Sequence, residues 1–529
     1  MRKWARIMMI LVILVFLGGC NGWKSKSNEN DLLYAKSERG ADSKKVLLIV
    51  ADSLMVQAIN DGIRSNLLPN IKYLIEHGQY YSDVVSSFPT MSVTIDSTIV
   101  TGTYPDKHRV PGLAWYSTDE RRVVNYGTGP MEALRTGGDQ VLTDLFVNLN
   151  GRHLNSRAST IYEDLASRGL TSGSVNGLIY RGTTDHMLRL PAVIHLPLTL
   201  PKEFKVKGPD LLTFGSFSNP FEETKNLPDG MTNKMGFTNE YAVEAVKHLI
   251  ATHSLPDFLY VYLPDLDQRL HKKGPSDLEG VRKLDGQLQS MLQSFGSMDE
   301  AMKKAIIIIL GDSGMSQIVP AAQQPTIDLP ELLKGYDILR TGKPVTDRTE
   351  IALAVNETSA YVYNLKSDPS IIELVDRLRA EPRLSLIVWK ENGWIRVIHN
   401  GAPGEFRYKK KGDSADPYGQ TWSWQGNPAV LDIKTTGKNR LEFGQYPDAL
   451  QRLYSSMNSH PGSYLMITAA HGYELAAHDS PTHKGGGGHG SLDRTESIVP
   501  LFIYGTDAKL EFHRLVDLKK YVLGLYKKR

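Results

Sequence analysis

The sequence predicts an α/β protein with a mostly parallel sheet flanked by helices and an inserted α+β cap, and three observations carry that prediction. Two aliphatic runs, "VLLIVADS" from Val46 and "IIIILGDS" from Ile306, each stop at Asp-Ser, as buried parallel strands do when they deliver a carboxylate to their carboxyl ends. Strand-like and helix-like segments alternate from Val46 onward, the order that builds a parallel sheet with helices on both faces. The chain has 529 residues, 41% hydrophobic and 22% charged, enough for one large domain with insertions or for two domains. That composition excludes a disordered, fibrous or repetitive chain.

The first segment, "MRKWARIMMILVILVFLGGC", sets Arg2, Lys3 and Arg6 before an apolar stretch from Ile7 to Leu17, with Gly18 and Gly19 preceding Cys20. These are the parts of a secretory signal, and the apolar stretch is short for a spanning helix. "LGGC" resembles a bacterial lipobox, whose cysteine is lipidated and becomes the mature first residue. Cys20 is the only cysteine, which leaves the folded body without disulfide or thiolate chemistry. Residues 1–20 are therefore expected to be a lipoprotein signal and 21–44 a polar tether, holding the protein on the extracytoplasmic face of the cell membrane. The whole chain carries a net charge of +3, and removal of Arg2, Lys3 and Arg6 leaves 58 basic against 58 acidic residues. A neutral mature chain shows no electrostatic footprint for a nucleic-acid polymer, and the basic run "RYKKKGD" at Arg407 to Asp413 reads as a solvated turn.

The first part of the core spans residues 45–345. "TIYEDLASRG" reads as a helix before the strand-like "LTSGSVNGLIY", and "NEYAVEAVKHLIATH" leads to "DFLYVYLPDLD". Before "IIIILGD", a longer helix carries Leu278, Val281, Leu284, Leu288 and Leu292 at spacings of three and four, one buried stripe. Residues 346–440 change rhythm: "IALAVNETSAYVYNL", the helical "PSIIELVDRLRAEP" and the hairpin "LSLIVWKENGWIRVIHNG" read as a small α+β unit, the inserted cap. The α/β order resumes over 441–529 with the helical "YPDALQRLYSSMN" and the strands "SYLMITAAHG" and "SIVPLFIYG". Ligands of such sheets bind beyond the carboxyl ends of the strands, where Asp52 and Asp312 fall. A carboxylate at the edge of an apolar core is costly unless positive charge meets it, so a cation is expected there.

Three polar clusters supply further candidates. "YLPDLDQRLHKKGP" sets Asp267 and His271 four residues apart after a strand, a spacing at which one helical turn aims a carboxylate and an imidazole at one point. "HDSPTHKGGGGHGSLD" adds His478, His483 and His489 around four glycines, a flexible loop on composition alone. "SSFPTMSVTIDSTIVTGTYPDKH" contains six hydroxyl side chains from Thr90 to Thr101, near a helix start where backbone N–H groups favour a phosphate; an ordinary N-cap accounts for them equally well.

Together, "IVADS", "PTMS" with "TIVTGTYPDKH", "PDLDQRLHKKGP", "LGDSGM" and "GGHGSLD" with "VPLFIYG" resemble the alkaline phosphatase superfamily, in particular its type I phosphodiesterase/nucleotide pyrophosphatase branch. The segments stand in the family's order from Val46 to Gly505. The resemblance implies an alkaline-phosphatase-like fold, two divalent metal ions, usually Zn²⁺, and hydrolysis of small-molecule phosphate esters. It places the hydroxyl nucleophile at Ser92, with Thr90 and Thr94 as competitors if the register slips. It places Asp267, His271 and His489 on one metal, and Asp52, Asp312 and Ser92 on the other. Two positions depart from the family. Ser313 follows Asp312 where a histidine is usual, which removes an imidazole from the second metal; His471 or His483 then substitutes, or Mg²⁺ or Mn²⁺ is bound there, or the enzyme is impaired. Leu113 stands where the nucleotide pyrophosphatases hold a phosphate oxygen with asparagine. The alternatives to a phosphodiesterase or pyrophosphatase are a phosphomonoesterase or phosphonate hydrolase of the same superfamily, and a metal-binding lipoprotein without turnover. A sulfatase would share fold and metal site but needs a formylglycine motif with Pro and Arg following, which "TMSVTID" lacks.

Overall fold

The structure, a computed structural model, describes residues 43–195, 199–437 and 439–526. The expected signal, Cys20 and all but the last two residues of the tether lie outside them. No helix among the described residues is long and apolar enough to cross a membrane.

Seven strands make the central sheet: β1 (Lys45–Ala51), β2 (Gln79–Val85), β3 (Ser172–Val175), β4 (Leu211–Thr213), β5 (Phe258–Leu263), β6 (Ala305–Gly311) and β7 (Ile498–Tyr504). Their order is β2-β7-β6-β1-β5-β3-β4. From β6 to β4 all pairings are parallel, and β7 runs antiparallel to both its neighbours. The aliphatic runs of β1 and β6 are buried on both faces, which is why they show no alternation. Val46, Leu48, Val50, Ile308 and Leu310 face a core shared with Ile95 and Ile99 of helix α1 (Ser92–Thr101). Leu47, Ile49, Ile307 and Ile309 face the opposite core, filled by helix α2 (Asn239–Ala251), helix α3 (Asp265–Lys273) and helix α4 (Leu278–Gln293). The stripe read from the sequence is the buried face of α4: Val281, Leu284, Leu288 and Leu292 lie in this core and Leu278 packs at its margin.

A second sheet of nine strands stands beside the first. Its hairpin Leu384–Glu391/Trp394–His399 turns through Asn392 and Gly393, both at positive φ, as an Asn-Gly two-residue loop requires. Two sequence expectations need correction. The strand Ser463–Ala469, expected in the resumed α/β core, lies in the second sheet between Ser359–Asn364 and Leu384–Glu391. Its residues Tyr464–Ala469 are all buried, and such a run looks the same in a parallel core strand and in a central antiparallel one. The basic run 407–413 is a strand rather than a turn. It belongs to Phe406–Ala415, paired with Thr421–Gly426, and buries Phe406 and Tyr408 while Arg407 and Lys409 point out. Its charges hid a period of two. Lys409 and Lys410 lie over the rings of Trp394 and Tyr454, at 4.7 and 4.3 Å from their centroids.

Candidate metal centre and nucleophile

Strand register assembles the site. Ala51 pairs with Gly311 and with Leu263, so β6, β1 and β5 end side by side and release Asp312, Asp52 and the α3 carboxylate Asp267 at one sheet edge. The Asp52 Oδ2 accepts a hydrogen bond from the Tyr262 hydroxyl. Asp312 Oδ1 accepts the backbone N–H groups of Ser53 at 2.9 Å and Ser313 at 2.7 Å. The other oxygens, Asp52 Oδ1 and Asp312 Oδ2, are buried and have no hydrogen-bond partner among the described residues. Burial first, then the neighbouring Asp312 and Asp267 carboxylates, push the Asp52 carboxyl well above its usual range. Two buried carboxylates with free oxygens at one strand end suit a divalent cation, which would supply the missing charge and coordination.

Asp267 starts the second cluster. His271 sits one turn later on α3, with its Nε2 3.2 Å from Asp267 Oδ1, and His489 Nε2 lies 3.4 Å from the same oxygen. Donors bound to one tetrahedral zinc at its usual bond lengths are about 3.3–3.5 Å apart, so these separations fit an ion between them. Each imidazole is held through its other nitrogen: His271 Nδ1 donates to the Gly487 carbonyl at 2.8 Å, and His489 Nδ1 to the Thr90 carbonyl at 2.5 Å. That leaves both Nε2 atoms for a metal. Burial would lower His489, but the Glu357 and Asp267 carboxylates outweigh it and raise the imidazole to about 10. A cation there would take over the role of that proton.

The glycine loop is not slack. A Cβ on Gly486 would fall 1.9 Å from the His271 carbonyl oxygen, and one on Gly487 would fall 2.2 Å from Met315 Sδ. Glycine is needed for the loop to approach α3 closely enough to fix His271.

The hydroxyl cluster resolves into separate tasks. Ser97, Thr98 and Thr101 donate to the carbonyls four residues back in α1. Thr90 donates to Ser491 O and accepts from the Gly490 N–H. Thr94 is buried, and its hydroxyl has no partner among the described residues. Ser92 is the only one of the six that is not buried. It is the first residue of α1, whose N-terminus has no side-chain cap; the Thr94 and Ile95 N–H groups donate to the Met91 carbonyl, and those of Ser92 and Val93 are the ones available to an anion.

Sequence reasoning missed three residues. Ser53, at φ 58°, links the two clusters: its hydroxyl donates to Asp267 Oδ1 at 2.9 Å and lies 3.3 Å from Ser313 Oγ. Glu357 sits at φ 57° in the turn joining strands Ile351–Asn356 and Ser359–Asn364 of the second sheet, accepts the His489 N–H at 3.1 Å and approaches His271 Nε2 to 3.6 Å. Asp96 accepts from the Tyr260 hydroxyl at 2.6 Å, and burial raises it to about 8. A lone acid in the otherwise apolar and hydroxyl-bearing α1 was the one available signal for it. Neither histidine suggested as a replacement for the missing imidazole stands beside Asp52. His483 stacks on His271, with ring centroids 4.3 Å apart, and His471 is exposed, near Ser385, Tyr446 and Glu496.

Comparison with known proteins agrees with this geometry. Murine ectonucleotide pyrophosphatase/phosphodiesterase 5, in an inactive form in complex with AMP, is similar to the chain at 12% identity and a TM-score of 0.53, covering 91% of this chain and 95% of that one. The human protein of the same name is 14% identical, also at 0.53, with 91% and 94% covered. These likenesses establish the fold, an α/β core with an additional sheet. No curated protein sequence matches the chain. The sequence matches the family described as Type I phosphodiesterase / nucleotide pyrophosphatase over residues 46–492. With a match across most of its length, the chain belongs to the type I phosphodiesterase/nucleotide pyrophosphatase family of the alkaline phosphatase superfamily, whose members are metal-dependent phosphoric ester hydrolases.

Proposed function

We propose that the protein is a lipid-anchored, extracytoplasmic hydrolase that cleaves small phosphodiesters or pyrophosphates through a covalent intermediate on Ser92. The observation that carries this reading is the position of Ser92: partly open, first in α1, and two residues after Thr90, whose carbonyl anchors His489. Asp52, Asp312 and Ser92 would hold one divalent cation and Asp267, His271 and His489 the other, with Zn²⁺ at the imidazole-rich position and Mn²⁺ or Mg²⁺ an alternative at the oxygen-only one. When bound, such ions favour the ionised hydroxyl and neutralise phosphate charge. Ser92 Oγ attacks phosphorus, the bond to the leaving oxygen breaks, and water then cleaves the seryl ester, so the net reaction is hydrolysis. The N–H groups opening α1 face the same anion and cost no reorganisation.

Leu113 packs against the core on the α1 side of the sheet, so the amide expected from nucleotide-specific relatives is absent, and the proposal does not extend to a nucleotide preference. Comparing a chromogenic phosphodiester with the matching monoester tests the reading. The metal-loaded protein should turn over the diester faster. The reverse order would assign a phosphomonoesterase, and bound metal with neither turnover would assign the metal-binding lipoprotein.

The anchor is tested separately. Cys20→Ser should release the protein from the membrane fraction or block its maturation, while the soluble body beginning near Lys44 keeps its activity. Membrane attachment unchanged in Cys20→Ser would rule out lipidation at that residue.

A further inference from the structure

Beside the Asp267/His271/His489 cluster lies a second donor set that the family resemblance does not include. The donor atoms of His271, Glu357 and His483 all fall within 4.8 Å of one another. Glu357 Oε1 is 3.6 Å from His271 Nε2, and its Oε2 is 4.0 Å from His483 Nδ1. That Nδ1 is buried and has no hydrogen-bond partner among the described residues. Glu474 lies behind it, its Oε2 3.4 Å from Nδ1 and both its oxygens accepting the His483 backbone N–H, at 2.9 and 2.8 Å. A ring nitrogen that makes no hydrogen bond, between two carboxylates at 3.4 and 4.0 Å and on an imidazole stacked on another, is an arrangement that a divalent cation would satisfy.

Both sets need the same His271 Nε2, because His271 Nδ1 is occupied by the Gly487 carbonyl. One nitrogen lone pair serves one cation, so the two positions cannot be filled together. The two sets differ in the burial of one imidazole: His483 is 16% exposed and His489 3%, while the carboxylates Glu357 and Asp267 are alike at 13% and 15%.

We infer that His271, Glu357 and His483 form an outer station for the divalent cation, from which it passes to the inner Asp267/His271/His489 position by exchanging Glu357 and His483 for Asp267 and His489 while His271 stays attached. The inference rests on the proposed metal dependence of the inner site and adds a route of loading and release. A stepwise exchange avoids a bare ion between water and a buried site, since the cation keeps a protein ligand throughout.

The test uses the zinc-loaded mature protein and reads metal release into excess chromogenic chelator, together with inner-site affinity at equilibrium. His483→Ala should slow release by about tenfold or more, a release barrier higher by about 1.4 kcal/mol, and leave equilibrium affinity within about twofold, because an intermediate station alters the rate and not the end states. Glu357→Gln, whose amide oxygen can still accept the His489 N–H, should also slow release, while weakening inner-site affinity because the negative charge 3.6 Å from His271 Nε2 is lost. An unchanged release rate in both variants would overturn the inference. So would faster release with weakened affinity, because Glu357 and His483 would then be supports or ligands of the inner ion. A wild type that binds no zinc, measured before any variant, would overturn this inference and the metal-dependent reading beneath it.

Discussion

Ser92→Ala should abolish turnover, by at least about a thousandfold for removal of a covalent nucleophile, while zinc binding at Asp267, His271 and His489 and the thermal unfolding midpoint stay close to wild type. The structure makes this expectation separable from its competitors. Thr90 is tied on both sides, donating to Ser491 O and accepting from the Gly490 N–H, so Thr90→Ala should loosen the His489 loop and weaken metal affinity along with activity. Thr94 is buried with its hydroxyl unpaired, and Thr94→Ala should leave metal affinity unchanged. Capture of a phosphoseryl enzyme after a rapid quench, located at Ser92 by mass spectrometry, completes the test. Full activity in Ser92→Ala, with loss in Thr94→Ala, would move the nucleophile by half a turn of α1.

The two Asp-Ser strand ends were legible because buried parallel strands leave a plain signal: aliphatic runs that stop abruptly at a charge. The register that sets Ala51 beside Gly311 then brings Asp52 and Asp312 together without further information. Asp267 and His271 were legible for a similar reason, since helical spacing is local. Glu357 was not. It comes from a two-residue turn in the second sheet, and its meeting with His489 depends on contacts across 132 residues of chain, where no spacing rule applies. Ser53 was hidden differently. Its side chain matters only because φ 58° turns it toward Asp267, a left-handed conformation that a serine rarely adopts. The second sheet, read from the sequence only as an inserted cap, sends one of its turns to the metal ligands. Thr358 N–H donates to the His489 carbonyl at 3.2 Å while the Glu357 carboxylate accepts the His489 N–H, so one turn clamps both sides of that residue.

The largest expected gain concerns the position where this chain departs from its family. Ser313 is fully buried, its hydroxyl 3.3 Å from that of Ser53, which in turn donates to Asp267 Oδ1. Two hydroxyls thus occupy the space between the metal clusters, and the Asp52/Asp312 position has only oxygen donors. Wild type should therefore bind one zinc tightly, at Asp267, His271 and His489, and a second only at higher concentration, with activity raised by Mn²⁺ or Mg²⁺. Ser313→His alone would drive an imidazole against Ser53 in a closed core, and overpacking of that kind costs about 1–3 kcal/mol. Ser53→Gly clears the obstacle and suits the backbone, because glycine adopts φ 58° without strain. The double variant Ser53→Gly/Ser313→His should then bind the second zinc at least about tenfold more tightly, as expected for an added neutral imidazole, and lose its preference for Mn²⁺ or Mg²⁺. Zinc titration followed by calorimetry distinguishes the cases. Two equally tight sites in the wild type, unmoved in the double variant, would show that another residue, with Asp96 of α1 a candidate through its Oδ2, unpartnered among the described residues, already completes the coordination and that the two serines are bystanders.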